Sequence, residues 1–209
     1  MIIIEREGII MIQIKEDEYL SKLNHSCAHM MAQAVKHLYP EAKFWVGPVV
    51  DTGFYYDIDL GDKVINDEDI LAIEKEMKKL AKDGKRMVRH EISKEEALEM
   101  FQDDPYKIDL IERMDENETV ISCYTQGDFT DLCRGPHVET LKECKYFKLI
   151  KFSGAYWKGD AKNKVLQRIY GVCMPTEEEL LKHLNELEDA KNRDHRKLGK
   201  ELNLFMTHE

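Results

Sequence analysis

No apolar run in this 209-residue chain approaches the ~20 residues needed to span a bilayer. Residues 1–19, MIIIEREGIIMIQIKEDEY, hold two short apolar patches broken by charges, which makes neither a secretory signal nor an anchor. The expectation is a cytoplasmic protein with no membrane contact. Cysteine is scarce: five residues, an odd number without a short-spaced framework, exclude a disulfide scaffold and fit reduced thiols. An excess of positive charge is also lacking, with 31 Lys and Arg against 41 Asp and Glu. A formal net charge of −10 excludes a broad grip on duplex nucleic acid, which needs a basic face, and leaves room for a local contact with one single-stranded end. Internal repeats and low-complexity segments are absent. What remains is 43% hydrophobic and 34% charged, enough for a packed core in one large domain, or one domain plus an appendage.

The chain alternates strand and helix signals. Residues 1–15 read as a strand or two, with 9–14 the better candidate. Asp17 can cap a helix over 18–38, ended by Pro40, with an apolar stripe of Leu20, Leu23, Cys27, Met30, Met31, Ala34, Val35 and Leu38. A strand over 44–50, a VDTG turn and a returning strand over 53–60 predict a hairpin, with Phe54, Tyr56 and Ile58 on one face and Tyr55, Asp57 and Asp59 on the other. A helix starts at Asn66 or Asp67, carries Ile70, Ile73, Met77 and Leu80, and stops at Gly84. A strand follows over 86–92. A capping box at 93–96 opens a short helix to 102, and Pro105 begins another over 106–114. Strands are expected over 119–125, 145–152 and 164–174, the last two joined by the loop SGAYWKGDAKN. A second capping box at 176–179 opens a long helix to about 198, in which Leu180, Leu184 and Leu187 pack on something. Beyond Ala190 that helix is strongly charged, and Leu202, Leu204, Phe205 and Met206 have no evident partner, so it reads as a linker.

Two short stretches organise the rest. NHSCAHMM over 24–31 places His25 and His29 four apart, and DLCRGPHV over 131–138 places Cys133 and His137 four apart. On a helix the first pair stacks on a single face. Each lies two residues from Cys27, about 200° around the helix and off the apolar stripe, which suggests a cleft wall. The four side chains make a reasonable Cys–His₃ zinc set, although this HxxxH lacks the adjacent glutamate of a zincin motif. They also suit a metal-free acyl-transfer or hydrolysis site in which histidines and a nearby lysine or aspartate position water and move protons. The third reading is accident, two segments far apart in space. Spacing alone does not choose.

HSCAH, VGPVVDTGFYYD, DLCRGPHV, FKLIKFSGAYWKGD and KVLQRIYG, in this order, resemble the editing (second N-terminal) domain of bacterial threonyl-tRNA synthetases, over roughly 25–170. RDHRKLGKELNLF is similar to the helix joining that domain to the catalytic core. The resemblance implies an α+β fold, a largely antiparallel sheet with packed helices around a deep cleft, plus a C-terminal linker helix. The implied organisation is a short strand segment over 1–20, a tRNA-editing domain over 21–175, and a helical linker over 176–209 toward an absent class II aminoacylation core. The implied function is hydrolytic editing of mischarged seryl-tRNA(Thr) at the tRNA 3′ end, with the remainder of a threonyl-tRNA synthetase chain as partner.

By matching position, His25, His29, Cys133 and His137 line the editing cleft. Lys107 and Asp131 serve water activation and the seryl group, Tyr56 the substrate pocket, and Arg134 the terminal adenosine or its phosphate. In division of roles, His25 and Lys107 handle water and the oxyanion, His29 and His137 orient, and Asp131 binds the serine amine. Without the resemblance, Lys107 reads as a helix-surface lysine, Asp131 as a turn cap, Tyr56 as strand packing and Cys133 as a buried thiol. Gly154 and Gly159 shape the loop. Cys123, Cys144 and Cys173 are expected to be structural, and His90, His183 and His195 to lie on the surface. The HxxxH and CxxxH pairs also resemble the zinc-binding pairs of alanyl-tRNA editing domains. The expectation is a site that works without metal, with zinc on His25, His29, Cys133 and His137 as the alternative. A binding module inactive in isolation and an alanyl-tRNA deacylase are the competing functions.

Overall fold

A computed structural model describes the backbone of residues 3–6, 9–115 and 120–201 and the side chains of 13–115 and 120–193. In chain order the elements are β1 (Ile3–Arg6), β2 (Ile9–Ile12), α1 (Glu18–Leu38), β3 (Lys43–Phe44), β4 (Val49–Val50), β5 (Gly53–Asp59), α2 (Asp67–Asp83), β6 (Val88–Ser93), α3 (Lys94–Met100), α4 (Pro105–Glu112), β7 (Val120–Gln126), β8 (Phe129–Leu132), β9 (Tyr146–Tyr156), β10 (Val165–Met174) and α5 (Glu177–Glu201). The fold is α+β and every strand pairing is antiparallel. Strands form a hairpin β1–β2, a main sheet ordered β3–β5–β10–β9 with β4 also on β5, and a small sheet β6–β7–β8.

The expected cap and stop bound α1: the Asp17 carboxylate accepts the Tyr19 and Leu20 N–H groups at 3.1 and 3.0 Å, and the helix ends before Pro40. Leu23, Cys27, Met30, Met31 and Val35 enter one core with Phe54, Tyr56 and Ile58 of β5, Ile169 and Cys173 of β10, and Ile73 and Met77 of α2. Each such side chain contributes about 1.5–3 kcal/mol by leaving water. α1 is enclosed on more than its apolar stripe, because α2 and β8 cover what the main sheet does not. Polar Asn24, Ser26 and Gln33 are buried as well, Asn24 against Cys173 of β10.

Several expectations need correction. The strand predicted over 44–50 is interrupted between β3 and β4, where Pro48 has no N–H to give, although Trp45 and Val46 still exchange backbone bonds with Asp57 at 3.0 Å. β8 was not anticipated; a turn through Gly127, in the left-handed region, folds it back on β7. The first four residues of the predicted SGAYWKGDAKN loop are strand: β9 continues to Tyr156, so Gly154 lies in a strand, and the turn that follows is shaped by Lys158 and Gly159, at φ 58° and 70°. His183 is buried, not on the surface, and donates through Nε2 to the Thr52 carbonyl at 3.2 Å. The expectations for residues 202–209 and the side chain of His195 lie outside the described residues. Leu180 and Leu184 pack on Ile14, Leu20, Val172 and Met174. β9 is the edge of the main sheet, and Glu74 of α2 sits against it, accepting the Leu149 N–H at 2.9 Å and holding Lys148 Nζ at 3.0 Å.

His37, near the end of α1, bridges Glu76 of α2 and Asp128 of the β7–β8 turn, each at 3.0 Å. Partial burial pulls its pKa down, but the hydrogen bonds and charges of Glu76 and Asp128 outweigh burial and leave it raised. A folded value above the unfolded one stabilises fully below about pH 6.5 and fades as pH rises through the folded value. In denaturant titrations the stability gap between wild type and His37→Ala is therefore expected to be larger at about pH 5.5 than at about pH 8.5. An equal gap at both would count against the bridge.

Candidate active site

His25 and His29 project from the same side of α1, with ring centroids 5.3 Å apart and rings edge-on. Cys133 and His137 reach the same place from the segment after β8, which is not helical. Their approach depends on Gly135, at φ 73°, where a Cβ would stand 2.4 Å from the Tyr124 hydroxyl oxygen. His137 packs 4.2 Å from the His25 ring centroid and 4.4 Å from those of His29 and Tyr124. Cys133 Sγ lies 3.2 Å from His25 Nε2 and 3.1 Å from His137 Nε2, and accepts the Gly135 N–H at 3.2 Å. The two motifs therefore converge, and the reading of an accidental match falls.

Burial dominates the electrostatics here. Desolvation lowers the pKa of His25, puts that of His29 well below normal and depresses that of His137 strongly. Burial thus favours the neutral form of all three imidazoles. Burial pushes the Cys133 thiol up to about 12, unlike an attacking thiolate.

A second buried group adjoins the first. Lys107 of α4 is 3% exposed and Asp131 of β8 is 1% exposed, and they pair at 2.5 Å. The Lys107 ammonium also donates to the Trp45 carbonyl at 3.1 Å and the Tyr56 hydroxyl at 3.2 Å. Tyr56 donates in turn to Asp131 Oδ2, while Asp131 Oδ1 takes the Leu132 N–H at 2.8 Å. Burial first, then the Asp131 charge, raises the Tyr56 pKa well above normal, so it remains a donor. Lys107 is not a surface lysine, and Asp131 and Tyr56 do more than cap and pack. All three ammonium hydrogens are committed, whereas Asp131 keeps one of about four acceptor positions. Coulombic coupling of Lys107 to His29, and of Asp131 to His25 and His137, ties the two groups together.

Two clefts reach this region. One of about 690 Å³ runs past Cys133 between Arg89, Leu110, Met114, Ser122 and Arg134, and Arg134 is exposed on its rim. Another, of about 610 Å³, reaches Lys107 and Asp131 past Phe44, Phe101 and Phe129. Sequence reasoning missed Ser26 and Tyr124, the immediate neighbours of His137. Ser26 stands inside the first motif, where its spacing carries no chemical signature.

The donor set suits zinc. Ligand atoms of His25, His29, Cys133 and His137 lie within 4.8 Å of one another, and His29 Nδ1 is buried without a partner among the described residues. Four protein donors fill a tetrahedral ion and leave no open position for water, the pattern of a structural site.

Over residues 121–170 the chain matches the family described as the threonyl and alanyl tRNA synthetase second additional domain. It is 52% identical over 204 residues to the threonine–tRNA ligase of Staphylococcus carnosus (strain TM300), covering 97% of this chain and 31% of that protein. To the threonine–tRNA ligase of Anoxybacillus flavithermus it is 54% identical over 208 residues, covering 98% and 32%. To that of Acholeplasma laidlawii it is 48% identical over 205 residues, covering 98% and 32%. The chain thus spans about a third of the length of the curated relatives it matches. It belongs to the threonyl-tRNA synthetase editing-domain family.

Removing one partner of the buried ion pair leaves the other charge uncompensated. Lys107→Met is expected to cost about 3–5 kcal/mol in urea titrations, and adding Asp131→Leu to recover most of it. A loss under about 1 kcal/mol for the single variant would show the pair to be solvated.

Proposed function

We propose that this member of the family hydrolyses serine wrongly esterified to threonine tRNA, working on the 3′ end of tRNA(Thr) as one domain of a threonyl-tRNA synthetase. Supporting this is the meeting of three neutral imidazoles and a thiol beside a buried lysine, in a chain of this family. Editing answers a physical need. Threonine exceeds serine by one methyl, and a pocket that must reject the smaller analogue gains only ~1–3 kcal/mol from the missing contact. A second, hydrolytic pocket that excludes the methyl supplies the remainder.

Ester hydrolysis needs a placed water, a base that is unprotonated at neutral pH, and positive potential where the oxyanion develops. We assign the base to His25, and the orientation of its surroundings to His29, His137 and Cys133. Lys107 offers its charge rather than a spare N–H, since each hydrogen already has an acceptor. The remaining acceptor position on Asp131 is available to the serine amine, and Tyr56 holds that carboxylate in place. Arg134, on the cleft rim, serves the terminal adenosine or its phosphate. In this reading residues 21–175 form the editing domain and 176–209 the helix toward the aminoacylation core. Zinc, when bound, would be held by His25, His29, Cys133 and His137 and would fix their geometry; we propose that hydrolysis does not require it.

The family description also includes alanyl tRNA synthetase, so alanyl-tRNA is the second substrate to test. Single-turnover deacylation at enzyme excess separates the readings. Seryl-tRNA(Thr) is expected to be hydrolysed well above the buffer rate and faster than alanyl-tRNA. His25→Ala is expected to fold and to lose about 10²-fold or more, as for removal of a proton-transfer group. A faster reaction with alanyl-tRNA would favour the deacylase, and no rate above buffer a binding module. In chelator-treated protein the rate is expected to hold; a loss that only zinc restores would overturn the metal-free reading.

A further inference from the structure

The main sheet has a second face that the core does not use. Ile169 of β10 pairs with Tyr56 of β5 and Phe152 of β9, and this row packs into the core. The rows on either side of it point the other way. One is Tyr55–Tyr170–Lys151 and the other Asp57–Arg168–Ser153, each running in register across β5, β10 and β9.

These side chains are held in place before any partner arrives. Asp57 is fully buried and accepts Arg168 Nε and Nη2 at 2.6 and 2.7 Å, a two-pronged pair that fixes the guanidinium plane. The guanidinium lies 4.0 Å from the centroid of the Tyr55 ring, and the Lys151 ammonium lies 4.4 Å from that of Tyr170. The two rings are 5.7 Å apart. Lys151 and Ser153 are exposed, while Arg168, Tyr55 and Tyr170 are half-buried. Solvent therefore meets two cations, two aromatic rings and a hydroxyl, and the one carboxylate of the two rows is buried against Arg168.

The charge around this face is opposite to that of the whole chain. Residues 145–168 hold seven lysines and arginines against one acid, Asp160, in a protein of net charge −10. Lys148, Lys158 and Lys164 answer Glu74, Asp109 and Asp59 of other elements, so no exposed acid of the two rows competes for Lys151 or Arg168. Arginine, lysine, serine and tyrosine are the side chains that meet phosphate oxygens in nucleic-acid complexes. Aromatic and guanidinium planes also pack on RNA bases. An apolar protein surface would strip water from Lys151 and Ser153 with nothing to replace it.

We propose that this outer face is a contact surface for RNA, taking the ribose–phosphate backbone of tRNA away from its aminoacyl end. Arg168 and Lys151 meet phosphates, and Tyr55 and Tyr170 pack on sugar or base. Which RNA it takes rests on the editing reading; the chemistry of the face does not. Face and cleft share a rim: Lys158, in the β9–β10 turn, holds Asp109 of α4 at 2.6 Å, and the next residue, Leu110, lines the cleft past Cys133.

The test is equilibrium binding of a 5′-fluorescein-labelled, uncharged tRNA(Thr) transcript, read by anisotropy over about 50–200 mM salt. Uncharged tRNA keeps the measurement independent of hydrolysis. Lys151→Ala and Lys151→Glu change an exposed residue and are expected to fold, which circular dichroism checks. Lys151→Ala is expected to raise Kd about three- to tenfold and to make log affinity against log salt shallower by ~0.7–0.9, the share of one phosphate contact. Lys151→Glu is expected to raise Kd further. Arg168→Met combined with Asp57→Leu removes both partners of the buried pair and is expected to weaken binding likewise. In single-turnover deacylation Lys151→Ala is expected to raise the half-saturating enzyme concentration by the same factor as Kd, with the maximal rate within about twofold. Wild type with no binding at ~100 µM protein overturns the proposal, as do folded Lys151 variants with unchanged Kd and salt slope. Self-association in sedimentation velocity that Lys151→Glu abolishes, at unchanged tRNA affinity, assigns the face to a second copy of the chain and also overturns it. If the double variant does not fold, the Lys151 variants decide. A wild type that binds tRNA through Lys151 but does not hydrolyse seryl-tRNA(Thr) refutes the editing reading and leaves this surface standing. Hydrolysis with an unchanged half-saturating concentration in Lys151→Glu does the reverse.

Discussion

Asn24 carries a primary amide into a fully buried position and there behaves as a piece of backbone. It accepts the Cys173 N–H and donates to the Cys173 carbonyl, both at 2.9 Å, closing a two-bond ring between α1 and β10. Moving the helix would break both bonds in a place water does not reach, and each unmet group costs about 1–3 kcal/mol. Ser26, two residues on, ties the helix to the segment after β8 by accepting the Val138 N–H at 2.9 Å. His25 lies between these anchors. One clamps the helix to the main sheet and the other to the chain that brings Cys133 and His137, so the convergence of the two motifs depends on both.

The buried lysine and aspartate extend that logic from position to charge. Taken out of water, such a pair gains little net stability over an apolar substitute, so it is weak as a device for stability alone. Its arrangement is what a site for a developing negative charge needs: an ammonium fixed by three acceptors, with no solvent to reorganise when the charge appears. Gly47 contributes here. A Cβ at that residue would stand 2.4 Å from Tyr56 Cδ2, so only glycine lets the backbone lie across the ring that holds Asp131.

The parts of the structure written in local chemistry were legible. Asp17, the stripe of α1 and Pro40 gave that helix both its ends, and the capping residues Asn66 and Ser93 each opened the helix expected of them. His25 and His29 were placed together by helical geometry. Cys133 and His137 share the same spacing for another reason, a turn through Gly135 at the end of a strand that was not foreseen. Lys107 showed nothing of its burial, which comes from distant chain: Asp104 beside it accepts the Phe44 N–H at 2.8 Å, and Trp157 packs 5.2 Å from the neighbouring Tyr106. His183 looked like surface because its helix is charged, yet the turn at Thr52 covers it. Misreadings gathered where residues far apart in the chain determine the environment.

The carboxylate that α2 lays against β9 bears on how the molecule behaves in company. An eleven-residue strand at the margin of a sheet is an invitation for a second molecule to add its own strand and begin an aggregate. Glu74 occupies one of the donors such an intruder would need, and brings Lys148 with it. A charge buried at the rim in this way discourages pairing between copies without altering the fold, which matters most when the protein is crowded.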